Sequence, residues 1–131
     1  MRYNNYHKHD HISNIFSPDT NTKQEEYIKK AIEYGHMNYF TTNHGSFGDI
    51  FEARTLCNKY GIRCIAGIEG YIVPDASEKD KRNYHIIVIP KTDLARKKMN
   101  YVSSMANING FYYKPRFFMK DLLTLEDRKS T

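Results

Sequence analysis

Arg63-Cys-Ile-Ala-Gly-Ile-Glu-Gly-Tyr-Ile-Val73, followed by Pro74, is the stretch on which the reading of this chain turns. Ile65, Ile68, Ile72 and Val73 give it β character, Pro74 closes it, and Gly67 and Gly70 inside it suggest a bend or bulge. Just upstream, Ile50, Ala53, Cys57 and Tyr60 recur at helical spacing. A helix is therefore predicted from about Gly48 to Tyr60, with Ser46 as its cap and Gly61 as its stop. Before it lie a short strand, Tyr39–Thr42, and a helix within residues 20–35. In that helix Thr22 and Glu25 have the spacing of a capping box, and Tyr27, Ile28, Ala31 and Ile32 form one apolar stripe. Downstream, His85-Ile-Ile-Val-Ile89 is a continuous apolar run of the kind expected for a strand covered on both faces. Thr92 caps a predicted third helix with Ala95, Met99, Val102 and Ala106 on its face, and Asn109-Gly110 breaks it. A charged loop at Asp75–Asn83, a last helical turn within Lys120–Leu125 and a polar tail from Glu126 complete the reading. Helices alternating with strands favour an α/β fold with parallel strands.

The chain has 131 residues with a formal net charge of +5, which suits one domain (1–125) followed by the tail (126–131). A complete eight-fold barrel, at roughly 250 residues, does not fit in it, and neither does a polymerase. With 40% hydrophobic and 14% aromatic residues the chain has the means to build a core. There is no run of about 20 apolar residues and no apolar leader, so a soluble, cytoplasmic protein without membrane contact is expected. Cys57 and Cys64 match no metal-ligand spacing and read as small buried hydrophobes.

The chemistry is in the histidines and acids. His7 and His9, if extended, share a face; His44 follows the first strand; Glu69 lies near the end of the next; His85 opens the one after that. Taken singly, each has a plain structural reading: a surface pair, a turn residue, a strand-end acid, a core histidine. Together, at successive strand ends where α/β sheets converge on their sites, imidazoles and a carboxylate make a set of ligands for divalent metals. Such a cluster suits phosphoester hydrolysis, because metals lower the pKa of water and neutralise phosphate charge. No catalytic residue separate from the ligands is indicated.

The motifs Tyr-His7-Lys-His9, Thr-Thr-Asn-His44-Gly, Gly-Ile-Glu69-Gly-Tyr-Ile-Val-Pro, His85-Ile-Ile-Val-Ile and Gly110-Phe-Tyr-Tyr-Lys-Pro-Arg116 resemble the PHP (polymerase and histidinol phosphatase) domain family. The likeness runs from about residue 5 to 123. It is closest to the branch found at the N-terminus of the bacterial DNA polymerase III alpha subunit. The resemblance implies a distorted (β/α)7 TIM-like barrel, here partial with its C-terminal strands missing. It also implies up to three divalent ions (Zn, Mn or Fe), fewer in this chain, held by His7, His9, His44, Glu69 and His85, with Asp19 as a further ligand.

Three departures accompany the resemblance. The family usually has Asp where this chain has Asn43, and Ser or Thr where it has Asp10; His11 is extra. Asp10, His11 and Asn43 are therefore expected behind the ligands rather than among them. The family's later strands bring a Cys or His and then an Asp-x-His pair, whereas no histidine follows His85. The implied function is metal-dependent phosphoester hydrolysis in DNA replication, as a 3′–5′ exonuclease or on pyrophosphate. The alternatives are a non-catalytic scaffold of a polymerase and a small-molecule phosphatase of the histidinol type. Implied partners are DNA or another phosphoester, the rest of a polymerase or a replisome subunit, and a second copy through open sheet edges. Lys114 and Arg116, among aromatic residues, are weak candidates for nucleic-acid contact, against the plainer reading that both are solvated.

Overall fold

A computed structural model describes residues 4–74 and 84–125. The loop expected at Asp75–Asn83 and the tail expected from Glu126 lie outside the described residues. An N-terminal run over 4–10 and a 3-10 turn, His11–Ile15, lead into α1 (Gln24–Glu33), β1 (Asn38–His44), α2 (Ile50–Tyr60) and β2 (Arg63–Val73). Then come β3 (Tyr84–Val88), α3 (Asp93–Ile108), β4 (Arg116–Phe118), the single turn α4 (Met119–Leu122) and a 3-10 turn at Leu123–Leu125. No helix among the described residues is long and apolar enough to cross a membrane.

β2 is the hub of an open, mixed α/β sheet. β1 pairs with it in parallel from Asn38↔Arg63 to His44↔Glu69, and β4 pairs in parallel from Tyr71↔Arg116 to Val73↔Phe118. β3 runs antiparallel, from Ile68↔Val88 to Ile72↔Tyr84. Since Ile68 and Glu69 pair with both β1 and β3, and Tyr71 and Ile72 with both β3 and β4, β1 and β4 share one edge of β2 and β3 holds the other. The antiparallel β3 corrects the expectation of an all-parallel sheet. A parallel crossover needs about a dozen residues or more, and 74–83 is too short to supply one. β3 is also not covered on both faces: Tyr84 and His85 are exposed and Ile86–Val88 half-buried. Nor do the glycines of β2 make a bulge, for its registers run unbroken. A Cβ on Gly67 would lie 2.8 Å from the Val88 carbonyl oxygen, and one on Gly70 would lie 3.1 Å from the Phe117 ring. These glycines admit close neighbours.

Residues alternate across a strand, and paired residues share a face. One face carries Tyr39, Ile68, Val88 and Phe117 and is covered by the helices. Ile28 of α1 and Ala53 and Cys57 of α2 pack with Tyr39 and Ile62; Met99, Val102 and Ala106 of α3 pack with Ile68 and Phe117. The same alternation sends His44, Glu69, Tyr71 and His85 to the opposite face.

The caps depart from expectation at two helices. Thr22 and Glu25 form no capping box: Lys23 occupies the cap position without a side-chain bond, while Glu25 accepts hydrogen bonds from Tyr60 and Lys59 of α2. Asp49 rather than Ser46 caps α2, accepting from Glu52 N at 2.9 Å, and Gly61 ends it in the left-handed conformation. Thr92 caps α3 as expected, accepting from Ala95 N at 3.1 Å.

Lys8 is the unexpected member of the helix-facing layer. Its ammonium sits 3.0 Å from the centroid of the Tyr39 ring and 4.8 Å from that of Tyr27, and burial lowers its pKa from 10.5 to about 7. Between pH 7 and 9 the unfolded chain holds a proton at Lys8 that the folded chain releases, so folding stability contributed by this group rises with pH. Lys8→Met is expected to remove that rise, on the order of 2 kcal/mol after solvent screening, and to unfold at higher urea than the native chain at pH 7. Urea melts of both proteins across pH 7–9 measure the difference. Parallel pH trends for the two would contradict the assignment.

Candidate metal centre

Thr42 lays the N-terminal run along β1. Its N–H donates to the Lys8 carbonyl at 3.0 Å, its hydroxyl accepts from Lys8 N at 2.8 Å, and the same hydroxyl lies 3.1 Å from the Tyr6 carbonyl oxygen. The run bends at His7, and His7 and His9 turn to one side, both against Glu69. His7 Nε2 lies 2.5 Å and His9 Nε2 2.8 Å from Glu69 Oε2. The register His44↔Glu69 brings β1's last residue to the same carboxylate, with His44 Nδ1 3.4 Å from Oε1. His85 reaches Oε1 at 2.6 Å because β3 is antiparallel, so its first residues lie beside the carboxyl end of β2. Asp19 joins from the loop after the 3-10 turn, with Oδ2 2.5 Å from His44 Nε2. Asn14 accepts from the Asp19 backbone N–H at 2.9 Å, and the Ser17 hydroxyl donates to Asp19 Oδ1 at 3.1 Å.

Two groups of donors suited to a metal result, each with its ligand atoms within 4.8 Å of one another: His7, His9 and Glu69, and His9, Asp19 and His44. His9 belongs to both. His85 touches Glu69 but stands outside both groups, and its side chain is 55% exposed. The chemistry of the set fits a borderline divalent ion. Glu69, only 1% exposed, keeps Oε1 buried without a hydrogen-bond partner although His85 Nδ1 is close. His7 Nε2 and His9 Nε2 face one another at 3.0 Å. Burial would raise the Glu69 carboxyl, but His7, His44, His9 and His85 together hold it below its ordinary range. Asp19 is likewise lowered: burial opposes, and the His44 hydrogen bond and charge outweigh it. His9 is pushed down by burial and by His44. Each shift favours the protonation state in which the group donates a lone pair.

Behind the donors lies a buried polar network. Asn43 Oδ1 accepts from Asp10 N at 3.0 Å and from the Ser13 hydroxyl at 2.8 Å, and Asn43 Nδ2 donates to Asp10 Oδ2 at 3.0 Å. Ser13 Oγ also meets His9 Nδ1 at 2.9 Å and accepts from His44 N at 3.2 Å, which ties the network to two donors. Asp10 and Asn43 are buried in this network and belong to neither donor group. His11 is half-buried, 4.0 Å from Asp10 Oδ1, and belongs to neither donor group.

Ser13 and Tyr71 were not anticipated. Tyr71 Oη lies 2.7 Å from His44 Nδ1, and burial, with Glu69 and Asp19 nearby, pushes its pKa up to about 12. The signal for Tyr71 was present: it stands two residues after Glu69 on the same strand face. Nothing in the sequence singles out Ser13. Lys114 reaches the site, with Nζ 3.3 Å from Tyr71 Oη. Arg116, expected to be solvated, is buried and donates from Nε to the Gly110 carbonyl at 2.8 Å, which removes it from the surface a nucleic acid would touch.

The family model described as "PHP domain" matches residues 7–129. The DNA polymerase III subunit alpha of Aquifex aeolicus (strain VF5) is 34% identical over 82% of this chain and 10% of its own length. Those of Treponema pallidum (strain Nichols) and Helicobacter pylori (strain ATCC 700392 / 26695) are 33% and 31% identical over 84% and 92% of this chain, again over 10% of their own length. The chain thus spans about a tenth of the length of the curated relatives it matches.

Asn43→Asp is expected to cost about 3 kcal/mol, because it removes the Nδ2 donor and sets a second buried carboxylate against Asp10. The double variant Asp10→Asn/Asn43→Asp exchanges the two partners and should recover most of that loss. A double-mutant cycle by denaturant unfolding measures it. Additive losses would show that the two side chains are not coupled.

Proposed function

This chain belongs to the PHP domain family, and on that footing we propose that it is a replication-associated, metal-dependent phosphoesterase. Its open sheet is read as a segment of a distorted (β/α)7 barrel, and its setting as the cytoplasm. The observation that carries the proposal is the convergence of two donor groups on one sheet face with His9 common to both. His7, His9 and Glu69 would hold one divalent ion and His9, Asp19 and His44 a second, drawn from zinc, manganese or iron, with His85 supporting the Glu69 side. Bound there, such ions supply Lewis acidity toward phosphoryl oxygens and lower the pKa of water.

The chain's own residues do the rest. Glu69 and Asp19 supply negative charge fixed by hydrogen bonds, Ser13 orients His9 through Nδ1, and Tyr71 orients His44 through Nδ1. The relatives' name, DNA polymerase III subunit alpha, favours DNA ends or pyrophosphate as substrate and a polymerase or replisome subunit as partner.

Purified chain is expected to carry divalent metal by elemental analysis and to hydrolyse a phosphodiester such as bis(p-nitrophenyl) phosphate or single-stranded DNA from its 3′ end. His9→Ala should lower metal affinity more than about tenfold and by more than His7→Ala does, since only His9 serves both groups. Absence of stoichiometric metal, with no effect of either substitution, would leave the scaffold reading. Hydrolysis of small phosphomonoesters without action on DNA would instead support the histidinol-type phosphatase.

A further inference from the structure

The loop between α3 and β4 is built in a way that joining the two elements does not require. Tyr113 has φ 61°, a left-handed conformation that a bulky aromatic side chain rarely adopts and that costs about 1–3 kcal/mol. The turn is closed by Tyr112 N–H donating to the Lys114 carbonyl at 3.1 Å. Pro115 then seats on Gly45, where a Cβ would come within 2.6 Å of Pro115 Cγ. Gly45 directly follows the metal donor His44, so the loop is pressed against the end of β1 that carries the site. On its other side the loop is anchored by the buried Arg116, which pairs in register with Tyr71.

This turn sets Lys114 beside the site. Its ammonium lies 3.3 Å from Tyr71 Oη and 4.3 Å from the centroid of the Tyr71 ring, and Tyr71 Oη in turn touches His44 Nδ1. An ammonium has three N–H donors, and Lys114 directs one to Tyr71; no carboxylate pairs with it among the described residues. A half-buried cation with two unspent donors, one phenol away from His44, is suited to a tetrahedral oxyanion.

We propose that Lys114, held by the Tyr112–Pro115 turn and braced on Tyr71, forms a phosphate-binding subsite at the edge of the His7/His9/Asp19/His44/Glu69 cluster. The ligand class is a phosphoryl group, either that of a nucleic-acid end or free phosphate. This deepens the phosphoesterase reading and rests on it for the identity of the ligand. Lys114 binds the anion directly, whereas Tyr71 positions both Lys114 and His44.

Inorganic phosphate serves as the probe, titrated by calorimetry into the 131-residue chain and into Lys114→Met and Lys114→Arg, with circular dichroism and metal content recorded for each. Lys114→Met is expected to weaken phosphate roughly tenfold or more with metal content unchanged, and Lys114→Arg to retain most of the affinity. Tyr71→Phe should weaken phosphate and also lower metal affinity, because it frees His44. Equal phosphate affinity in the native chain and a folded Lys114→Met overturns the proposal, as does a native chain that binds no phosphate. Hydrolysis is measured separately. Phosphate binding that depends on Lys114 in a chain that hydrolyses nothing supports the subsite and retires the phosphoesterase reading. Hydrolysis with a KM that Lys114→Met leaves unchanged overturns the subsite and leaves the phosphoesterase reading standing. A single-stranded DNA 5-mer with and without a 3′-phosphate, competed against the probe, distinguishes a nucleic-acid end from free phosphate.

Discussion

A carboxylate withdrawn from water in the middle of a β-sheet must be compensated, and Glu69 is compensated by imidazoles from three separate segments of the chain. Each of those segments is placed accordingly. The N-terminal run lies against β1 through Thr42, β1 stops with His44 level with Glu69, and β3 reverses so that its opening residue reaches the same carboxylate. Burial alone would drive Glu69 toward its neutral form; the surrounding histidines outweigh it. The nitrogens that hydrogen-bond the anion when protonated are the same ones that offer lone pairs when deprotonated, so a proton and a cation compete for one point.

The sheet separates that point from the hydrophobic core. Helices α1, α2 and α3 all pack on the face bearing Tyr39, Ile68 and Phe117, and the opposite face carries His44, Glu69, Tyr71 and His85 beside the buried Val73 and Phe118. Lys8 shows how strictly the alternation holds. Between two histidines that turn toward Glu69, it must turn the other way, and its ammonium ends among tyrosine rings with a depressed pKa. β4 ties the two faces together. Phe117 belongs to the core beneath α3, while Arg116 fixes the turn that presents Lys114 to Tyr71.

Much of this was legible, and the failures have identifiable causes. The hydrophobic spacing located α2, β2 and α3 well, since each has a long amphipathic or apolar signature; the motifs proposed His7, His9, His44, Glu69 and His85, the family resemblance proposed Asp19, and the fold brings these side chains together. The direction of β3 was not legible from its apolar run, because periodicity does not encode polarity; the length of 74–83 did encode it. The capping box at Thr22 and Glu25 failed because tertiary structure offered Glu25 better partners on α2. β4 is three residues long, too short for periodicity, and Arg116 is basic in a segment that reads as surface. Ser13 and Tyr71 act through contacts made by the folded chain, and only Tyr71 left a trace, in its two-residue offset from Glu69.

Asp10 and Asn43 bear on whether the departures from the family pattern count against the site. Read one at a time, each looks like damage: a carboxylate lost at 43, an acid intruding after His9. In the folded chain they are partners, with Asn43 donating to Asp10 and both joined through Ser13 to His9 and His44. The usual family arrangement has one acid and one hydroxyl at these positions; this chain has one acid and one amide, with the acid on the other side of the contact. One buried negative charge is kept, and Asp10 still caps the 3-10 turn by accepting from Ile12 N at 3.0 Å. An Asp at 43 beside Asp10 would place two carboxylates in contact away from water, whereas Asn43 supplies a donor there. One buried network thus joins Asp10 and Asn43 to His9 and His44 through Ser13.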